Sequence, residues 1–426
     1  MLINKNLITK NLLNFLISFL LLSVVLGNLA INLNVILICI LGLIVYGFQI
    51  FMLDKKIYQY LIYSFFLYLI LITFYRNFPN LGTNPLYAEN MIKSLLYLRF
   101  LILFLVVSKL VEDGDFNVNL FFVTASFLSF FLALDILIQV KTGTDLFGYS
   151  ITFNRPSGFF GDEHIAGGYL QKFSFFFIFS GVVFLFKSLR KNIVFIILSL
   201  IFFFVSIILT GNRMPFLMYF ASILLFIFLE KKLRKFLFFG IFFSSIFFFI
   251  IVKSIPIVNN SFQSLWKSVA QITMLAPKLF YAEEIEKEIS FNNGYLIVFN
   301  SSVQLWKENK LFGSGLKSFR INCEHGHNKA CQSHPHNYFL ELMLDVGLVG
   351  LILIYIFFVL VVNNFLKFYY KNDLRARIVV LPFFIISFFE FFPIRSSGSF
   401  FSTNNAVLIF LLLAILMNVS KIKKNT

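Results

Sequence analysis

The chain has 426 residues, of which 59% are hydrophobic, 19% aromatic and only 13% charged. With a mean hydropathy of +0.86, it carries too little polar surface for a water-soluble protein of this length, and its repeated apolar runs of membrane-crossing length define a multi-pass membrane protein instead. The formal net charge of +16 does not describe a nucleic-acid binder, because the cations fall in short runs between apolar segments and build no continuous basic face.

The opening stretch, MLINKNLITKNLLNFLISFLLLSVVLGNLA, has the basic start and apolar centre of a signal peptide. Asn-Leu-Ala ahead of a cut after Ala30 is a poor cleavage site, so an uncleaved first helix is expected. Apolar runs then give about twelve spans: Leu12–Leu26, Val35–Leu53, Ile57–Tyr75, Ile92–Val111, Val118–Val140, Ile165–Phe186, Ile193–Leu209, Met214–Leu229, Phe236–Val252, Tyr338–Phe365, Ile378–Phe392 and Ala406–Ser420. Each must be helical, since lipid cannot satisfy free backbone groups. The expected fold class is therefore all-α, a polytopic membrane bundle. The last two spans are the weakest, one for Pro382 and one for its length. An N-terminus in the cytoplasm places the basic runs Lys55-Lys56, Lys231-Lys232, Arg234-Lys235 and Lys421 to Lys424 inside, and leaves only scattered cations outside. Both termini are then cytoplasmic.

One segment, Lys253 to about Pro335, has no membrane-length apolar run and falls outside. The expected organisation is helices over residues 1–253, a structured periplasmic loop domain over 254–335, and helices over 336–426. Within the loop, YAEEIEKEIS is helix-prone. SSVQLWKENKLFGSGLKSF reads as an amphipathic helix stopped by a glycine turn.

The loop ends on CEHGHNKACQSHPHN, Cys323 to Asn337, where four histidines fall within twelve residues. Three readings compete: an imidazole that takes a proton from an attacking hydroxyl near neutral pH, a metal site, and plain loop polarity. The spacing matches no standard zinc pattern. For His325 and His327 the plain reading is preferred. For His336 the functional one is preferred, since Pro335 suits a first helical turn and would hold His336 at the membrane surface, with His334 as second choice. Cys323 and Cys331 are disulfide candidates in an oxidising compartment. Arginines at outer helix ends run against the charge bias: Arg213 before the eighth span, and Arg155 with Asp162, Glu163 and His164 before the sixth. Guanidinium forks suit phosphate oxygens; lipid headgroups or local ion pairs are the alternative. Arg99, Asp135, Lys172, Glu341, Asp345 and Glu390 lie inside spans, where charges face cavities or partners. Asn337, Glu341 and Asp345 share one helix face, and Gly347 and Gly350 would let a neighbouring helix approach. No P-loop, Rossmann glycine pattern or Asp-rich metal motif is present.

These residues resemble the O-antigen ligase/polymerase family of the bacterial envelope. Its ligases carry His followed by Asn, Ser or Gln, nine free positions, Gly, two free positions and Gly; His336-Asn337 with Gly347 and Gly350 fits. An Arg, three free positions and Leu fits Arg213 and Leu217. LWKENKLFGSGLKSF, Leu305 to Phe319, is similar to the family's stretch before the His. Where many relatives have an Arg several residues before that Trp, this chain has Asn300 and Ser301. The resemblance implies a glycosyltransferase of the inner membrane with a periplasmic active site. It would move a glycan from undecaprenyl pyrophosphate to lipid A–core, or to another lipid-linked repeat unit in a polymerase. It implies His336 as general base, Arg213 and Arg155 as pyrophosphate ligands, Asn337, Lys317 and Arg320 as further substrate contacts, inversion at the anomeric carbon, and neither metal nor cofactor. A transporter of a lipid-linked or anionic solute is the alternative from another class. It would need a charge pathway through Asp135, Arg99 and Lys172.

Overall fold

The computed structural model describes residues 2–153, 155–231, 233–254, 258–260, 262–263, 294–325, 333–396 and 398–422. Among these the regular secondary structure is all helical, joined by loops that hold two isolated β-bridges, Thr144–Ser150 and Thr152–Arg155. The helices are α1 (Leu2–Leu26), α2 (Asn28–Tyr46), α3 (Lys56–Asn77), α4 (Pro85–Leu96), α5 (Leu98–Glu112), α6 (Val118–Thr142), α7 (Ala166–Ser180), α8 (Leu189–Leu209), α9 (Arg213–Leu229), α10 (Arg234–Ser254), α11 (Gly294–Glu308), α12 (Ser318–His325), α13 (Tyr338–Lys371), α14 (Leu374–Glu390) and α15 (Thr403–Met417). Nine helical stretches among the described residues are long and apolar enough to cross a membrane; α9 and α15 are shorter and apolar.

Two helices show how composition sets position. In α15 every residue from Ala406 to Met417 is buried, as expected of a helix that is apolar on all sides. It lies inside the bundle, against α5, α14, α13 and α2. By contrast, α10 buries only Leu237, Gly240 and Ser244 and turns Phe238, Phe239, Phe242 and Phe249 outward, as a lipid-facing helix does.

Three expected spans are reshaped. The fourth begins earlier, at Pro85, with Asn84 as its cap, and divides at Tyr97 into α4 and α5. The sixth ends in a π-helical turn, Gly181–Leu185. The tenth, α13, is broken at Gly347 (φ 62°, ψ −169°).

That break is filled by the loop that follows α11. Ser314 and Gly315 donate their N–H groups to the carbonyls of Leu344 (2.9 Å) and Asp345 (2.8 Å). Leu348 and Val349 donate to the carbonyls of Lys310 (3.0 Å) and Leu311 (3.1 Å). The backbone groups freed by the break are thus satisfied within the protein, the condition for non-helical backbone at membrane depth. Gly347 therefore admits a loop, not the neighbouring helix expected from sequence. Gly350 does face a helix: a Cβ there would lie 3.2 Å from the Tyr68 ring of α3.

Candidate functional site

Asn337, Glu341 and Asp345 all point inward from the start of α13 and are buried, and each fastens a different piece of chain. The Asn337 side chain caps α13 by accepting from Leu340 N (2.9 Å) and donates to the carbonyls of Pro393 (2.7 Å) and Arg395 (2.9 Å). Glu341 accepts from Ser399 Oγ and Phe400 N, both at 2.5 Å. Asp345 accepts from Lys317 N (2.7 Å), Ser318 N (3.1 Å) and Ser318 Oγ (2.8 Å). The same 310–318 loop is held from α3, by Tyr68 Oη to Phe312 O (2.8 Å), Arg76 Nε to Gly313 O (3.0 Å) and Leu316 N to Thr73 Oγ1 (3.0 Å).

A buried ion triad ties α7 to this assembly. Glu390, 3% exposed, sits between Lys172 Nζ (3.0 Å) and Arg395 Nη1 (2.7 Å), and the Arg395 guanidinium lies over the Tyr338 ring at 5.9 Å. The carboxylate is shared by two cations, so every member of the buried triad is ion-paired, although the triad carries one net positive charge.

His336 lies just before the cap. Pro335 is not in the first helical turn, as the sequence reading had it: Asn337 is the cap and α13 starts at Tyr338. What holds His336 is a left-handed backbone, φ 55°. Its ring lies against His334, centroids 4.2 Å apart. His334 Nδ1 is 2.9 Å from Ser333 Oγ, while its buried Nε2 has no hydrogen-bond partner among the described residues. Burial, then the charges of His336 and Lys317, push the His334 imidazole down to about 4, so it is neutral at ordinary pH.

The segments that carry Arg213 and Arg155 both approach the start of α7. Arg213 opens α9 after the Thr210-Gly211-Asn212 turn. A Cβ on Gly167 would lie 2.6 Å from Thr210 Oγ1 and 2.8 Å from Asn212 Cβ; the bare glycine lets that turn rest on α7. Arg155 approaches from the folded 143–165 loop, which Gln139 holds through Ser157 N (3.0 Å) and Gly158 N (2.9 Å). Burial, and after it the Arg155 charge, hold the His164 imidazole below its ordinary value, with Asp162 opposing. Arginine-bearing segments beside a helix N-terminus make a setting favourable to anions.

Arg320 is engaged, donating to Glu89 Oε2 (2.9 Å) and Asn90 Oδ1 (2.7 Å). Lys317, at φ 56°, has no ion pair from its ammonium among the described residues. Cys323 and His325 fall in the last turns of α12, while Cys331, His327 and the YAEEIEKEIS stretch lie outside the described residues, so the Cys323–Cys331 pairing lies outside them too. Sequence reasoning missed the triad partner Arg395 and the acid Glu89; Glu390 was singled out, but without its partners.

Phe153 (φ 49°), Lys317 and His336 are the three non-glycine residues with positive φ among the described ones, and all flank this end of the bundle. Such strain gathers at functional sites. Asp135, Arg99 and Lys172 also belong to this end: Asp135 accepts from Leu146 N (2.9 Å), and Arg99 donates to Leu96 O (2.7 Å). Glu230, Arg377 and Glu112 gather at the other end. Among the described residues no chain of charges joins the two.

Fold and site together define a multi-pass membrane protein whose histidines, arginines and strained residues gather at one end of an all-helical bundle. Residues 197–355 match the family model described as O-Antigen ligase. The match runs from within α8 into α13 and takes in Arg213, Lys317, Arg320, His334, His336 and Asn337, while Arg155, Lys172 and Glu390 lie outside it. No curated protein matches the chain significantly.

Proposed function

We propose that this protein is an O-antigen ligase: a glycosyltransferase that moves a glycan from undecaprenyl pyrophosphate to lipid A–core at the periplasmic face of the inner membrane. His336 takes the proton of the acceptor hydroxyl as that oxygen attacks the anomeric carbon. Arg213 and Arg155 hold the pyrophosphate and stabilise the charge it gains on leaving. Direct displacement inverts the anomeric centre, and the proposed chemistry uses no metal. The basic runs favour cytoplasmic termini, and a twelve-span bundle with a periplasmic loop domain over 254–335 agrees with them.

The observation that carries this reading is the fit of the His336 to Gly350 motif to one interlocked unit, tied through Arg395, Glu390 and Lys172 to α7, whose start the segments of Arg213 and Arg155 approach. His334 is a poorer base than its neighbour's position offers, since an imidazole held near 4 is far from the operating pH where proton transfer is most effective.

Product analysis in a deletion strain tests the proposal. Long glycans that remain on undecaprenyl pyrophosphate and are missing from lipid A–core are expected. Single repeat units on lipid A–core would make the protein a polymerase, and a normal glycan profile would refute both.

A further inference from the structure

Lys317, Arg320 and Lys93 converge on one side of the histidines. Glu89 of α4 pairs with both Lys93 and Arg320, so one carboxylate serves two cations there and leaves Lys317 aside. The Lys317 backbone is bound to Asp345, but its ammonium forms no ion pair among the described residues. The nearby carboxylates do not close on it: the oxygens of Asp345 and Glu341 accept from Lys317 N, Ser318, Ser399 and Phe400. Burial, with the neighbouring charge of Lys93, pushes the ammonium below its ordinary value, and Glu341 and Asp345 offset this only in part. A partly buried ammonium in a left-handed backbone, beside two further cations, is held in place at an energetic cost. An anion that reached the ammonium would offset the part of that cost that comes from burial and from the neighbouring cations.

Which substrate brings the anion follows from the geometry of displacement. In an inverting transfer the attacking oxygen and the leaving group lie on opposite sides of the anomeric carbon. The base stands on the attacking side. Lys317 lies close enough to His334 to act on it electrostatically, and the His334 ring lies against that of His336, centroids 4.2 Å apart. Arg213 and Arg155, assigned to the leaving pyrophosphate, are carried instead by segments that approach the start of α7.

We infer that Lys317, flanked by Arg320 and Lys93, forms an acceptor subsite that binds a phosphate or carboxylate group on the acceptor glycan, separate from the arginines that hold the donor pyrophosphate. The inference rests on the proposed ligase function. It makes Lys317 a residue that selects anionic acceptors.

The test uses full-length protein reconstituted in lipid, with lipid A–core as acceptor in three forms: native, phosphatase-treated, and carboxyl-reduced. Wild type is compared with Lys317→Gln and Lys317→Arg. On native acceptor, Lys317→Gln is expected to raise the acceptor KM roughly 10-fold or more and to leave the donor KM unchanged, while Lys317→Arg recovers most of the loss. On the acceptor stripped of the recognised anion, wild type falls to the level of Lys317→Gln; whichever stripped form does this identifies the group. An equal penalty for Lys317→Gln on all three acceptors, or a shift confined to the donor KM, would overturn the subsite. If wild type transfers nothing to any acceptor, the ligase reading fails and the subsite with it. That failure is distinguished by the wild type failing too.

Discussion

Gly347 and Gly313 meet backbone to backbone: a methyl on Gly313 would lie 2.5 Å from Gly347 N, and one on Gly347 would lie 2.5 Å from Gly313 N and 2.3 Å from Leu311 O. Both have positive φ, 62° and 81°, so a side chain at either is strained twice over. Gly347→Ala and Gly313→Ala are each expected to cost several kcal/mol, a size reserved for strain and lost buried hydrogen bonds. The loss is read as a fall in Tm and in monodisperse protein recovered in detergent. Gly82→Ala, where a Cβ meets nothing within 4 Å, is the neutral control. A normal Tm for both interlock variants would contradict the packing.

His336→Gln is expected to lower transfer by about 10²- to 10⁴-fold, the range for loss of a general base, with protein level unchanged. His334→Gln should lose far less and keep the pH–rate profile of the wild type above pH 5. Its imidazole stays neutral there, held near 4. An altered profile near neutrality in His334→Gln would move the base to that residue.

The same depressed value has a consequence for stability. A histidine with an ordinary value of 6.5 unfolded and about 4 folded takes up its proton more readily when unfolded. Its contribution is intact above pH 6.5, falls as pH drops toward 4, and is level below that. Tm measured from pH 7 to pH 4 should therefore fall less steeply in His334→Gln than in wild type. Identical slopes would mean that the imidazole is not held neutral.

Much of this was legible in the sequence, and the reasons differ by residue. Apolar runs locate spans because lipid imposes one length on each, and the outer arginines stood out against the charge bias. The partners of Glu341 and Asp345 did not: they come from Ser399, on the segment after α14, and from Ser318, at the start of α12, and no local pattern encodes such pairings. Lys172 was recognisable as a charge that needs a partner, but Glu390 lies more than two hundred positions later. The break at Gly347 was hidden because an apolar run reads the same whether its helix is continuous or interrupted. The glycine itself was visible and was given the wrong neighbour.

Removing Glu390 leaves Lys172 and Arg395 facing each other without their carboxylate. Glu390→Ala is expected to destabilise the protein by roughly 3–5 kcal/mol, read as lost Tm, and to reduce transfer by displacing the 393–395 segment that Asn337 holds. Full stability in this variant would argue against the triad.

Arg213→Ala should cost about 2.7–4 kcal/mol of barrier, as for other donors to a developing negative charge, with Arg213→Lys intermediate. The measurement is single-turnover transfer from a saturating lipid-linked donor. An unchanged rate would remove Arg213 from the pyrophosphate role.

The segment between Asn337 and Gly347 works as a ruler. Its nine residues advance the helix by roughly 13 Å, at about 1.5 Å and 100° per residue. That phase lets Asn337, Glu341 and Asp345 point the same way while the glycine arrives opposite the 310–315 loop. One inserted residue would swing everything beyond it by more than a quarter turn, so that the three attachments and the interlock could not form together. The count between the histidine and the glycine is therefore a dimension of the site, and variation in the side chains along it is better tolerated than any change in their number.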